Sequence, residues 1–265
     1  MQDDITTEHD SPEPRDSPRG RRLIKAAWVA GVLLVASVVS LCLATVLRQQ
    51  RQVAAIREIE SLGGRVVTVP IGPEWLRDFV GEERMEGLDE IALIDLSRRG
   101  IPIGRLAALS QLRNVKVLSL HATQNPGVAL KNLSARSNLS WLQLKSSEVE
   151  DADLAHLSKL SRLRLLSLGG TRVTDEGAKE FRHLRELESL LIHDTQVTDN
   201  GLVHVSRLTK LARLSVGGEV TDEGLLHLKK LANLKVLYLY GDNFGDDAVA
   251  ELQKRLSACQ IVRRK

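Results

Sequence analysis

The feature that most constrains this chain is a leucine phrase that returns at a nearly fixed interval. The pattern L-x-x-L-x-L opens at Ile91, Val115, Leu139, Leu163, Leu187, Leu211, Leu234 and Leu256, in steps of 24, 24, 24, 24, 24, 23 and 22 residues. Each unit is too short to bury an apolar face alone, so units must stack, each covering the open side of the last. Strand geometry sends alternate residues of a phrase to opposite sides. The last two apolar residues of each phrase therefore point into a shared core, and the residues between and beside them point out.

The rest of each unit must return across the other side of the stack. Val173-Thr174-Asp175, Val197-Thr198-Asp199 and Val220-Thr221-Asp222 mark that return. The valine plugs the core, and Thr or Asp caps the following helix by accepting from its unpaired amides. Leu202, Val205 and Leu208 in one unit, and Leu225, Leu228 and Leu231 in the next, keep helical spacing. Wider helices outside and strands inside bend such a stack into an arc. Composition agrees, with 43% hydrophobic but only 3% aromatic residues, which suits layers of small aliphatic side chains.

These residues resemble the leucine-rich repeat proteins often found in bacteria, whose units read L-x-x-L-x-L-x-x-T-x-V-T-D-x-G-L-x-x-L. The likeness extends over residues 45–265 and includes a Leu62-Gly63-Gly64 turn of the kind that precedes the repeats in membrane-anchored versions. It implies an α/β leucine-rich repeat solenoid, with a parallel concave sheet and helices on the convex side, preceded by one transmembrane helix. It implies little about function, because members of the family bind many different partners. Thr171 and Thr195 match the family's ladder threonine, and Thr123 and Ser147 stand close enough to share the role. Two units depart from the pattern. Asn125-Pro126-Gly127 replaces Val-Thr-Asp and is expected to break the outer helix there, and Gly217-Gly218-Glu219 is one residue short and should tighten its turn. Leu256-x-x-Cys259-x-Ile261 reads as the closing phrase, with Cys259 as a buried middle anchor.

Four regions follow along the chain. Residues 1–22 are polar and carry Pro12, Pro14 and Pro18, as a disordered tail does. Residues 23–47 are predicted to be a transmembrane helix. The 22 residues from Ala26 to Leu47 contain no charge, and about 33 Å of helix matches a bilayer core of ~30 Å. A cleavable signal peptide is the rival reading. Its apolar region is usually only about 7–15 residues and ends at a small-x-small site, which is missing here, and Leu41 before Cys42 does not suit a lipoprotein signal. Arg15, Arg19, Arg21, Arg22 and Lys25 before the span outnumber Arg48, Arg51 and Arg57 after it. That bias places the amino terminus in the cytoplasm and the repeats outside the cell membrane. Residues 48–90 supply a linker helix ended by Gly63-Gly64, a short strand from Arg65 to Val69 and a second helix from Glu74 to Val80, together capping the solenoid's open end. Residues 91–265 are the repeats with their closing strand.

The outward residues of the stacked strands are the candidate binding surface. Leu93, Val117, Trp141 and Leu165 make an apolar row, and exposed apolar rows on polar sheets mark partner sites. Gln143, His193, Arg213, Tyr238 and Tyr240 share the face, and Trp, Tyr and Arg are common interface anchors. No metal or cofactor is expected. His121 and His193 lie three units apart, about 14 Å, and His156, His204 and His227 recur as part of the repeat itself. The chain carries no G-x-S-x-G elbow, phosphate-cradling loop or H-E-x-x-H, so it is not read as an enzyme. A formal net charge of +3 is too small to imply nucleic acid, and Cys42 and Cys259 make no disulfide framework. The expected function is recognition or scaffolding of a protein partner by the concave face. A glycan binder using the aromatic residues, or a self-associating structural protein, are the alternatives.

Overall fold

The computed structural model describes residues 18–70, 89–97, 109–110, 112, 114–132 and 138–264. The chain divides into two units, residues 1–49 and 50–265. The predicted tail up to residue 17 and the predicted helix from Glu74 to Val80 lie outside the described residues.

The first unit is formed by helix α1 (Pro18–Ser61), which also runs on into the second. It starts within the segment expected to be unstructured, with proline at the first helical position, where its missing N–H costs nothing. The expected boundary between a membrane span and a separate linker helix is also absent. Arg48, Gln49, Gln50 and Arg51 are all good helix formers, so nothing interrupts the helix there. By length and composition α1 is apolar enough to cross a membrane, and its apolar side chains are bare, with Trp28 74% and Leu34 68% exposed.

In the second unit Ile56 and Ile59 of α1 are buried in the repeat core. The helix stops as its sequence predicts. Gly63 adopts φ 75°, Gly64 N–H donates to Ile59 O at 3.0 Å, and Gly63 N–H donates to Glu60 O at 2.8 Å. This paired closure uses the carbonyls that the helix end leaves open.

Among the described residues nine strands then form one sheet in sequence order. They are β1 (Arg65–Val69), β2 (Glu90–Asp95), β3 (Val117–Ser119), β4 (Trp141–Gln143), β5 (Leu165–Ser167), β6 (Ser189–Leu191), β7 (Arg213–Gly217), β8 (Val236–Tyr240) and β9 (Gln260–Arg264). β1 runs antiparallel to β2 and covers that edge, while every later pair is parallel. The middle anchors Ile94, Leu118, Leu142, Leu166, Leu190, Leu214 and Leu237 lie in register, and each is 0% exposed.

Helical segments make the opposite layer: α2 (Pro126–Asn132), α3 (Asp151–Leu154), α4 (Asp175–Ala178), α5 (Asp199–Val205), α6 (Asp222–Leu228) and α7 (Asp246–Arg255), with 3-10 turns after α3 and α4. In the V-T-D units the two polar residues divide the work. Thr174, Thr198 and Thr221 cap their own helices, each hydroxyl accepting from the amide two residues on. The aspartates reach instead to the next unit. Asp151 accepts from Thr174 N–H at 2.8 Å and Thr174 Oγ1 at 2.6 Å, and Asp175 repeats both bonds with Thr198. Asp199 does the same with Thr221, and Asp222 accepts from Gly245 N–H at 2.8 Å. The glycine of D-x-G now has a reason, since a Cβ at Gly177, Gly201 or Gly224 would overlap the preceding unit's aspartate.

Each corner after strands β3 to β8 places one residue in the left-handed region, including Ala122 at φ 52°, Asp194 at 55° and Gly218 at 69°. The ladder hydroxyl follows that corner. Thr123, Ser147, Thr171 and Thr195 are all buried and donate to Leu120 O, Leu144 O, Leu168 O and Ile192 O at 2.7, 2.6, 2.6 and 2.8 Å.

Three local expectations are corrected or refined. Asn125-Pro126-Gly127 does not break the outer helix, because α2 begins at Pro126, where proline fits. The shortened unit lacks a ladder hydroxyl, and its turn runs so close to the preceding unit that a Cβ on Gly218 would sit 2.9 Å from Thr195 O. The closing phrase is displaced by two residues. Leu237 pairs with Ile261 and Tyr238 with Val262, so Ile261 and not Cys259 takes the middle-anchor position. Leu256 caps α7, a helix longer than its neighbours, and Cys259 lies 3% exposed just before the strand.

Candidate binding face of the sheet

Parallel pairing carries the outward residues into straight rows. Leu93, Val117, Trp141, Leu165, Ser189, Arg213 and Val236 are direct partners on successive strands. The first four form the predicted apolar row. Leu93, Val117 and Leu165 are half-buried, whereas Trp141 is 43% exposed.

A second row is polar at its amino-terminal end. Ser97 Oγ and Ser119 Oγ are 2.7 Å apart, and Ser119 Oγ donates to Gln143 Oε1 at 3.0 Å. Gln143 is therefore half-buried and already engaged. Partial burial of Asp95 works against its charge, but hydrogen bonding from Ser97 holds its carboxyl below the usual carboxylate range.

Aromatic residues gather at the carboxy-terminal strands. His193 and Tyr240 lie two strands apart, yet their rings stack with centroids 4.3 Å apart and planes 18° from parallel. Gly217 on the strand between makes this contact possible, since a Cβ there would sit 2.7 Å from Tyr240 Cβ. Gly169 makes room on the other side of the imidazole, where a Cβ would sit 2.7 Å from His193 Cε1. His193 Nδ1 is 2.8 Å from Ser215 Oγ, and the residue is only 6% exposed. It is thus a supporting group under Tyr240, not the open contact expected from its row. Burial lowers its pKa, with Lys145 adding to the effect and Asp194 opposing it.

The nine predicted residues fall into two groups and not one patch. Trp141 on β4 and Tyr238 and Tyr240 on β8 are four strands apart, about 19 Å. Arg213 is exposed and stands between them. Sequence reasoning missed Arg264, whose guanidinium lies 5.7 Å from the Tyr238 ring centroid. The corrected register of β9 pairs Arg264 with Tyr240 and so brings it to this face. Among the described residues no group of three or more His, Cys, Asp or Glu side chains could hold a metal ion.

Comparison with known proteins bears on the fold. A search of curated proteins finds no match. Among solved structures, an internalin of Listeria monocytogenes is 18% identical with a TM-score of 0.43, over 54% of this chain and 39% of that one. A leucine-rich repeat protein of Leptospira interrogans is 19% identical with a TM-score of 0.36, over 61% of this chain and 51% of that one. This chain thus spans about half or less of the structures it resembles. The match that decides membership is to the family described as the leucine-rich repeat region, which covers residues 85–258, and the chain belongs to that family.

Proposed function

We propose that this protein is a membrane-anchored recognition module that binds a protein partner through the concave face of its sheet. The observation that carries the reading is Trp141, open to solvent at the centre of an apolar row. A large ring exposed among half-buried aliphatic residues matches the anchors that dominate protein interfaces. Arg213 adds a second residue of that kind on the same face. A glycan binder would need several free rings as stacking platforms. Tyr240 already faces His193 and Arg264 lies over Tyr238, which leaves Trp141 as the open ring.

The bare apolar surface of α1 and the excess of cations before it support anchoring, with the repeats on the extracytoplasmic side. The test is capture from solubilised native membranes by the full-length protein, beside a variant carrying Trp141→Ala, Tyr238→Ala and Tyr240→Ala. Capture of a protein by the native chain and its loss in the variant is the expected result. An identical set captured by both would overturn the concave-face reading. External protease that leaves the repeats intact in whole cells, but digests them after lysis, would overturn the orientation.

A further inference from the structure

The chemistry of the outward row changes between Leu165 and Ser189. Ser189 is 8% exposed, and its Oγ is the one buried side-chain nitrogen or oxygen among the described residues that lacks a hydrogen-bond partner. A shielded hydroxyl without a partner is costly, so it calls for an explanation. Its neighbour in the row, Arg213, is exposed and makes no ion pair among the described residues. The acid that precedes Ser189, Glu188, is engaged by Arg164 at 3.5 Å. A guanidinium without a counter-ion among the described residues presents donors and no acceptor to whatever lands on it. A carboxylate satisfies it, because it accepts several hydrogen bonds and matches the fork of an arginine.

We propose that the partner presents an acidic segment to this face. One Asp or Glu carboxylate seats on Arg213, while an apolar side chain covers Trp141. The inference rests on the protein-binding reading above and adds the chemistry the partner must carry. It also fixes a spacing. Trp141 and Arg213 are three strands apart in one row, about 14 Å at ~4.8 Å per strand. An extended segment crossing the strands advances roughly 3.3–3.6 Å per residue, so the acid lies about four residues from the apolar anchor.

Selection of a displayed random peptide library on the full-length protein in detergent tests this. The native chain is compared with Trp141→Ala, Arg213→Glu, Arg213→Gln and Ser189→Ala. Peptides that depend on Trp141 are expected to carry Asp or Glu about four residues from a large apolar residue. Arg213→Glu should replace that acid with Lys or Arg among the peptides selected. For one synthesised peptide, Arg213→Gln should weaken binding roughly tenfold or more, as the loss of a charge-assisted bond does. Ser189→Ala removes a shielded hydroxyl that the peptide does not reach, so it should leave binding unchanged without loss of thermal stability. Arg213 is exposed, so these variants do not put folding at risk. Trp141-dependent peptides with no acidic preference, unchanged by Arg213→Glu, would overturn the carboxylate proposal and leave protein binding standing. A selection that yields no Trp141-dependent peptide overturns both.

Discussion

The rim that returns from strand to helix and the face of the sheet are built by opposite rules. On the rim the V-T-D units solve the same problem in the same way. Asp175 holds Thr198, Asp199 holds Thr221, and each threonine caps its own helix. On the face no two neighbouring strands carry the same set. Trp141, Leu165, Ser189 and Arg213 are adjacent in one row and share neither size nor charge. Rim side chains satisfy one another, while the face holds an exposed ring and, among the described residues, an orphaned hydroxyl and an unpaired guanidinium. Repetition marks what the stack needs for itself, and departure from repetition marks what it keeps for something else.

The comparison sharpens first in the core beneath both regions. Leu190→Ala removes a middle anchor that is 0% exposed in the centre of the stack. Packed leucine positions of this kind cost about 2–5 kcal/mol when truncated, so the urea midpoint should fall further than for any substitution on the face. On the rim, Asp175→Ala leaves Thr198 N–H and Thr198 Oγ1 without the acceptor they share. The expected loss is about 1–3 kcal/mol. A rim aspartate that proves silent in urea unfolding would break the idea that these residues couple units.

Acid tests the face where it resembles the rim. Burial holds the His193 imidazole below its ordinary pKa, so the unfolded chain takes up a proton at a higher pH than the folded one does. Stability is then full above about pH 6.5 and falls as pH drops below it, until folded His193 also protonates. His204 is lowered as well, first by burial and then by Arg207, so two groups share the limb. Asp95, Glu186 and Glu251 are held low and lose stability only at pH values below their ordinary ones, 3.8 for Asp and 4.5 for Glu. Urea unfolding at pH 7.5 and 5.5 isolates the histidines. His193→Phe, which keeps a ring against Tyr240, should show a smaller drop between the two conditions than the native chain. An undiminished drop would mean that His193 does not titrate in this range.

The legibility of the two regions differs for the same reason. A period of 24 residues fixes both the register and the facing of each strand, and the rows read from sequence are the pairs found in space. Where the period lapsed, the reading slipped. α7 runs ten residues, from Asp246 to Arg255, so Leu256 ends a helix and does not open a strand. Arg264 was missed with it. The state of each face residue was less legible than its place. His193 is buried only because Gly169 and Gly217 flank it and Tyr240 reaches across, a coincidence of three strands that no single unit displays. Ser189 looks like any other outward serine until its neighbours close over the hydroxyl.

The smallest expected effect on stability is the one that tests most. Trp141 pairs across the sheet with Val117 and Leu165, and cross-strand pairs of this kind contribute roughly 0.2–1 kcal/mol each. The ring is 43% exposed, so its truncation opens no cavity in the core. Trp141→Ala should therefore unfold within about 1 kcal/mol of the native chain in urea while losing its partner. The two measurements must be made on the same variant, because each alone is ambiguous. A loss of binding with a loss of several kcal/mol would make Trp141 a structural member of the sheet, no different in kind from the rim aspartates. A loss of binding at nearly constant stability separates the residues that hold the stack together from those that the stack holds out.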